Sequence, residues 1–213
     1  MPVDVKICGI TDDESMQAAI EAGVDMVGLV FFPPSPRAVS PERAAELVDM
    51  IPEEVLKVGL FVDADDATLE ATLAHVRLDL LQFHGSETPE RIEAVRLEFG
   101  VEVMKMIPVS CLDDLARAEP YLEVADRLLF DAKAPTGAVL PGGNALAFDW
   151  SILAGRTWPL PWVLAGGLNA DNVAEAIRIS GATAVDVSSG VESAPGLKDP
   201  DKICAFIAAA KGT

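Results

Sequence analysis

Eight short apolar runs, a helical pattern after each, and two glycine-bearing loops late in the chain predict an α/β fold, a single (β/α)8 TIM barrel spanning residues 1–213. The runs are Val3–Cys8, Met26–Val30, Leu56–Val62, Leu78–Phe83, Val101–Ile107, Arg127–Asp131, Trp162–Leu164 and Ala184–Val187. Most are continuously apolar rather than alternating, as parallel strands buried on both faces require. A doubly wound open sheet gives the same local alternation, but its usual strand count is about five or six, so eight units favour closure. With 213 residues the barrel has room for few insertions, because the fold's lower size limit is ~200 residues.

The first helix is expected to open on a capping box of Thr11 and Glu14 and to close at Gly23. Ser40-Pro41 opens the second, with Ala44, Leu47, Val48 and Ile51 on one face. Leu69, Leu73 and Val76 mark the third. Thr88-Pro89 opens the fourth, with Ile92, Val95 and Phe99 inward. Asp113–Glu119 supplies a fifth and Phe148–Leu153 a short sixth. Asn169 opens the seventh ahead of Val173, Ala176 and Ile177, and Asp199–Lys211 forms the last, with Ile203, Phe206, Ile207 and Ala210 inward. The longest irregular stretch, Ala132–Ala147, follows strand six and so lies at the carboxyl face, where barrel active sites sit.

Composition narrows the function. Lysine and arginine number 16 against 34 aspartate and glutamate, a formal charge of −18, which argues against nucleic acid and anionic membrane surfaces as partners. No apolar run approaches the ~20 residues of a membrane span, and the first residues lack the charged-then-apolar pattern of a secretory leader. Cys8, Cys111 and Cys204 are an odd, widely spaced set that reads neither as a disulfide framework nor as a metal site. The expectation is a cytoplasmic protein, monomeric because no feature demands a partner, with a small-molecule substrate.

Two segments suit phosphate: Leu164–Asn169 after strand seven and Val187–Glu192 after strand eight, contributing Gly166, Gly167, Ser189 and Gly190. Barrels often bind phosphate between these loops, where glycine lets backbone N–H groups approach closely. Cys8 ends strand one just ahead of the expected helix start, and a helix N-terminus lowers a thiol pKa towards the reactive thiolate; an inert packing cysteine is the alternative. Asp131 ends strand six at the same mouth, and is either a helix cap, an ion-pair partner of Lys133, or the acid of a pair with Cys8. Arg37 lies in a loop stiffened by Pro33, Pro34 and Pro36, and could fork a carboxylate. Gln82 and His84 close strand four and could hydrogen-bond a sugar, or each other. Asp186 interrupts apolar strand eight and needs a partner there.

Several segments, in order, resemble the phosphoribosylanthranilate isomerase family: Lys6-Ile7-Cys8-Gly9-Ile10-Thr11, Ser35-Pro36-Arg37, Gln82-Phe83-His84-Gly85, Gly142-Gly143 leading to Phe148-Asp149-Trp150, Ala165-Gly166-Gly167-Leu168, and Val185–Glu192. The resemblance covers essentially the whole chain. It implies an Amadori rearrangement of N-(5-phosphoribosyl)anthranilate to the 1-deoxyribulose 5-phosphate, a step of tryptophan biosynthesis. On that template Asp131 is the general acid and Cys8 the general base. Arg37 holds the anthranilate carboxylate, Gln82, His84 and Asp186 support the sugar, and Gly166, Gly167, Ser189 and Gly190 cradle the phosphate. No cofactor or metal is implied, because only protons move. The family's loop usually reads Gly-Gly-Thr-Gly, whereas Asn144-Ala145-Leu146 follow the glycine pair here, a departure that bears on loop closure and turnover rather than on reaction class. The alternatives are a phosphate-binding barrel isomerase of histidine biosynthesis, expected to carry an aspartate where Cys8 stands, and a non-catalytic sugar-phosphate-binding barrel, which would have no use for the Cys8–Asp131 pair.

Overall fold

The computed structural model describes residues 3–134, 142–143 and 147–213; Asn144, Ala145 and Leu146 lie outside them. Eight parallel strands close into a barrel in chain order: β1 (Asp4–Cys8), β2 (Met26–Val30), β3 (Leu56–Phe61), β4 (Leu80–Phe83), β5 (Glu102–Val109), β6 (Arg127–Ala132), β7 (Trp162–Leu164) and β8 (Ala184–Val187). The seam is β1 against β8, with Lys6 level with Asp186. Helices α1 (Asp13–Glu21), α2 (Pro41–Val48), α3 (Asp66–Leu73), α4 (Pro89–Phe99), α5 (Val173–Ser180) and α6 (Pro200–Lys211) pack outside it. Among the described residues no helix is long and apolar enough to cross a membrane.

The strands divide their side chains by the two-residue period of extended chain. Val5, Ile7, Phe130, Val185 and Val187 face outward into the large core shared with the helices. Met26, Val58, Leu80, Leu129 and Ala184 face inward and fill the barrel. One layer nearer the carboxyl mouth, the inward positions become Cys8, Val30 and Leu60, together with the buried polar residues Gln82, Asp131 and Asp186. The period that packs the barrel therefore delivers the polar side chains to one place.

Three local expectations are corrected, and one pair of strands was not expected at all. Asp12, not Thr11, caps α1: its Oδ1 accepts from the Ser15 amide at 2.8 Å and its Oδ2 from the Ser15 hydroxyl at 2.9 Å. Two bonds from a carboxylate outweigh what a Thr11–Glu14 box offers; Gly23 does follow the helix end, at φ +80°. The fifth helix is a 3-10 helix, Leu112–Tyr121, with Pro120 inside it. Asn169 does not start α5, which begins at Val173 after the cap residue Asn172. The Asn169 Oδ1 accepts from the amides of Asp171 and Asn172 at 2.9 and 3.2 Å, a local bond that competes with helix. Finally, an unanticipated antiparallel hairpin, β9 (Glu192–Ala194) with β10 (Leu197–Lys198), follows the last barrel strand.

Candidate active site

Two joined cavities open at the carboxyl mouth. The first, about 500 Å³, is lined by Cys8, Arg37, Gln82, His84 and Asp131 on its polar side and by Val30, Phe32, Leu60 and Val62 on its apolar side. The second, about 420 Å³, is walled by Gly166, Gly167, Ser189 and Gly190. Asp131, Gly143, Asp186 and Ser188 line both, so one elongated ligand could occupy the two together. The ten candidate site residues named from the sequence are thus brought to one mouth.

Cys8 sits at the end of β1, level with Gly28 of β2. A β-carbon at Gly28 would stand 2.9 Å from both the Cys8 Sγ and the Lys6 Nζ, so the missing side chain is the space in which sulphur and ammonium meet. Lys6 is fully buried and pairs with Asp186 across the seam, Nζ to Oδ1 at 3.0 Å. This is the partner that a buried Asp186 requires. Burial works against the Lys6 ammonium, but Asp186 and then Cys8 outweigh it and hold its pKa above the ordinary lysine value. Burial pushes the Cys8 thiol up, Lys6 pulls it back, and Asp186 pushes the same way as burial. The expected depression by a helix N-terminus is not what governs the thiol: α1 starts at Asp13, and its end is already capped by the Asp12 carboxylate.

Asp131 faces Cys8's cavity from β6. Its Oδ1 accepts from the Ala132 amide at 2.7 Å, and its Oδ2 lies 3.3 Å from His84 Nε2. Lys133 does not pair with it, lying instead 3.7 Å from Asp114. The Gln82 Nε2 donates to His84 Nδ1 at 3.1 Å, an orientation that assigns the ring proton to Nε2. His84 Nε2 is near Asp131 but outside hydrogen-bond alignment, and the Gln82 Oε1 is also buried without a partner. Two buried polar atoms without partners, aimed into a cavity, are places for ligand hydroxyls.

Arg37 is buried, and its fork is closed on a carboxylate of the protein itself. Its Nε and one terminal nitrogen donate to the two oxygens of Glu192 at 2.7 and 2.9 Å. Glu192 is in turn bound at 2.9 Å by Lys198, which also donates to the Ser188 carbonyl and hydroxyl at 2.9 and 3.2 Å. Burial opposes the Glu192 carboxylate, but the bond from Arg37 and the charge of Lys198 hold its pKa below the ordinary value. The sequence reading gave no individual role to Lys6, Ser188, Glu192 or Lys198, although Ser188 and Glu192 lie in the loop it read as phosphate-binding. Lys6 could have been found, since it stands two residues before Cys8 on the same strand face; Glu192 and Lys198 carry no local signal.

Comparison with known proteins agrees across the chain. Residues 5–209 match the family model of N-(5'-phosphoribosyl)anthranilate (PRA) isomerase. An N-(5'-phosphoribosyl)anthranilate isomerase of Paramagnetospirillum magneticum is 73% identical over 212 residues, covering 100% of this chain and 99% of the relative. A crystal structure of phosphoribosyl anthranilate isomerase from Thermotoga maritima superposes with a TM-score of 0.89 at 40% identity, covering 99% of this chain and 100% of that one. A further structure of such an isomerase, in complex with reduced 1-(o-carboxyphenylamino)-1-deoxyribulose 5-phosphate, gives 0.85 at 40% identity with the same coverage.

Proposed function

The chain belongs to the N-(5'-phosphoribosyl)anthranilate isomerase family, and from that membership we propose that Cys8 and Asp131 are the base and acid with which it carries out its reaction. The enzyme is an aldose–ketose isomerase of tryptophan biosynthesis, and its small-molecule substrate is N-(5'-phosphoribosyl)anthranilate. One observation carries the residue assignment: Cys8 and Asp131 line a single cavity that continues into a glycine-walled one through Asp131, Gly143, Asp186 and Ser188.

Asp131 gives its proton to the ribose ring oxygen, and the ring opens to a protonated Schiff base. The Cys8 thiolate removes the proton on C2, the electron pair neutralises the iminium, and the resulting enolamine tautomerises to the ketone. The steps move protons only and call for no cofactor. The phosphate lies against Gly166, Gly167, Ser189 and Gly190, where backbone N–H groups bind it. The anthranilate ring lies on Val30, Phe32, Leu60 and Val62, with its carboxylate towards the edge of Arg37 not taken by Glu192. Gln82 and His84 offer their unpartnered atoms to the sugar hydroxyls, and Asp186 offers the oxygen not bound to Lys6. We read residues 1–213 as one domain, working as a monomer in the cytoplasm.

The test is a coupled assay on freshly made phosphoribosylanthranilate with wild type, Cys8→Ser and Asp131→Asn. Each variant should lose at least about a hundredfold in kcat, the usual contribution of a positioned acid or base. Near-wild-type turnover in either would remove that residue from its role and leave the activity itself in place.

A further inference from the structure

We propose that Lys6 is the positioning residue that makes Cys8 a base, its ammonium stabilising the thiolate that takes the C2 proton. The proposal rests on the reading of Cys8 as base given above.

Lys6 is a fully buried cation that the proton transfers do not use. An ammonium has three N–H bonds to place, and among the described residues Asp186 Oδ1 accepts one of them, at 3.0 Å. The Cys8 sulphur stands beside the others, because Sγ and Nζ each lie 2.9 Å from the point where a β-carbon on Gly28 would be. The second buried lysine near Cys8 is not available in this way. Lys198 donates to the Ser188 carbonyl, the Ser188 hydroxyl and Glu192, so its three bonds are spent. The other charged or titratable groups lining the cavity are Arg37, closed on Glu192, and His84 and Asp131, which face each other.

A thiol in so dry a place is inert unless its anion has a nearby positive charge, and a charge acts more strongly there than in water. Asp186 has the opposite task. It keeps Lys6 protonated despite burial, while its own charge opposes the thiolate. The Cys8 proton leaves through the open cavity to solvent, the sulphur takes the C2 proton, and Lys6 stays protonated throughout.

The experiment uses the full chain with the exposed thiols replaced, Cys111→Ser and Cys204→Ser, so that iodoacetamide reports on Cys8 alone. Alkylation rate and kcat/KM are followed against pH. Lys6→Met should move the alkylation midpoint up by about one pH unit or more, roughly a tenfold loss of thiolate at neutral pH, with kcat falling and KM little changed. Lys6→Arg, which keeps the charge, should leave the midpoint within a few tenths of a unit of wild type. A shift with methionine and none with arginine distinguishes charge from mere structural damage. An unchanged midpoint in Lys6→Met, or an equal upward shift in Lys6→Arg, overturns the proposal. If Lys6→Met fails to fold, Lys6→Gln is read in its place: an upward shift supports the proposal, and no shift or a downward one overturns it. A midpoint that moves while the acid limb of kcat/KM stays in place upholds the hold of Lys6 on the sulphur and removes Cys8 from the role of base.

Discussion

Gly190 has no room for a side chain. A β-carbon there would run into the Leu168 carbonyl oxygen, so the loops after β7 and β8 approach each other as closely as backbone allows. Gly190→Ala should force them apart, costing roughly 1–3 kcal/mol of stability, as overpacking does, and weakening phosphate binding. Thermal melting and KM report the two effects, and an alanine variant with wild-type values of both would show that the contact is slack. Residue choice at the mouth was legible where polar residues end or interrupt apolar runs, as Cys8, Gln82, Asp131 and Asp186 do, while their roles came from the family resemblance. What was not legible is pairing across the fold. Lys6 and Asp186 are 180 residues apart, and Arg37 and Glu192 are 155 apart. Only barrel closure makes them neighbours.

At the scale of single elements, the apolar runs fixed where strands lie and left their ends open by one or two residues. Caps were read less well, because Thr11, Asp12 and Asp13 are all competent and only geometry selects among them. The choice can be tested. Asp12→Ala should cost about 1 kcal/mol, the usual worth of an N-cap, while Thr11→Ala should leave denaturant midpoints unchanged; the reverse order would restore the Thr11–Glu14 box. The β9–β10 hairpin escaped notice because strands of three and two residues show no period. It nevertheless carries Glu192 and Lys198 to the mouth, and so decides how Arg37 is held.

For the molecule as a whole, charge sets the approach of substrate. The protein carries −18, and the substrate bears a phosphate and a carboxylate. Near the mouth the cations are offset by carboxylates, Lys6 by Asp186 and both Arg37 and Lys198 by Glu192. kcat/KM should therefore rise as salt goes from 10 to 100 mM and the Debye length falls from about 30 to about 10 Å. A steep fall would mean that local positive potential governs encounter instead.

The β1–β8 seam also sets a timetable. Lys6 is made 180 residues before Asp186. At roughly 5–20 residues per second, a ribosome leaves the lysine without its partner for on the order of ten seconds or more. Until β8 emerges, β1 and β7 each lack the neighbour that closes the barrel, and an unpaired strand edge can template association with other chains. A message cut short before Ala184 therefore lacks Asp186 of the site and the partner of both β1 and β7, and the same four-residue strand supplies them together.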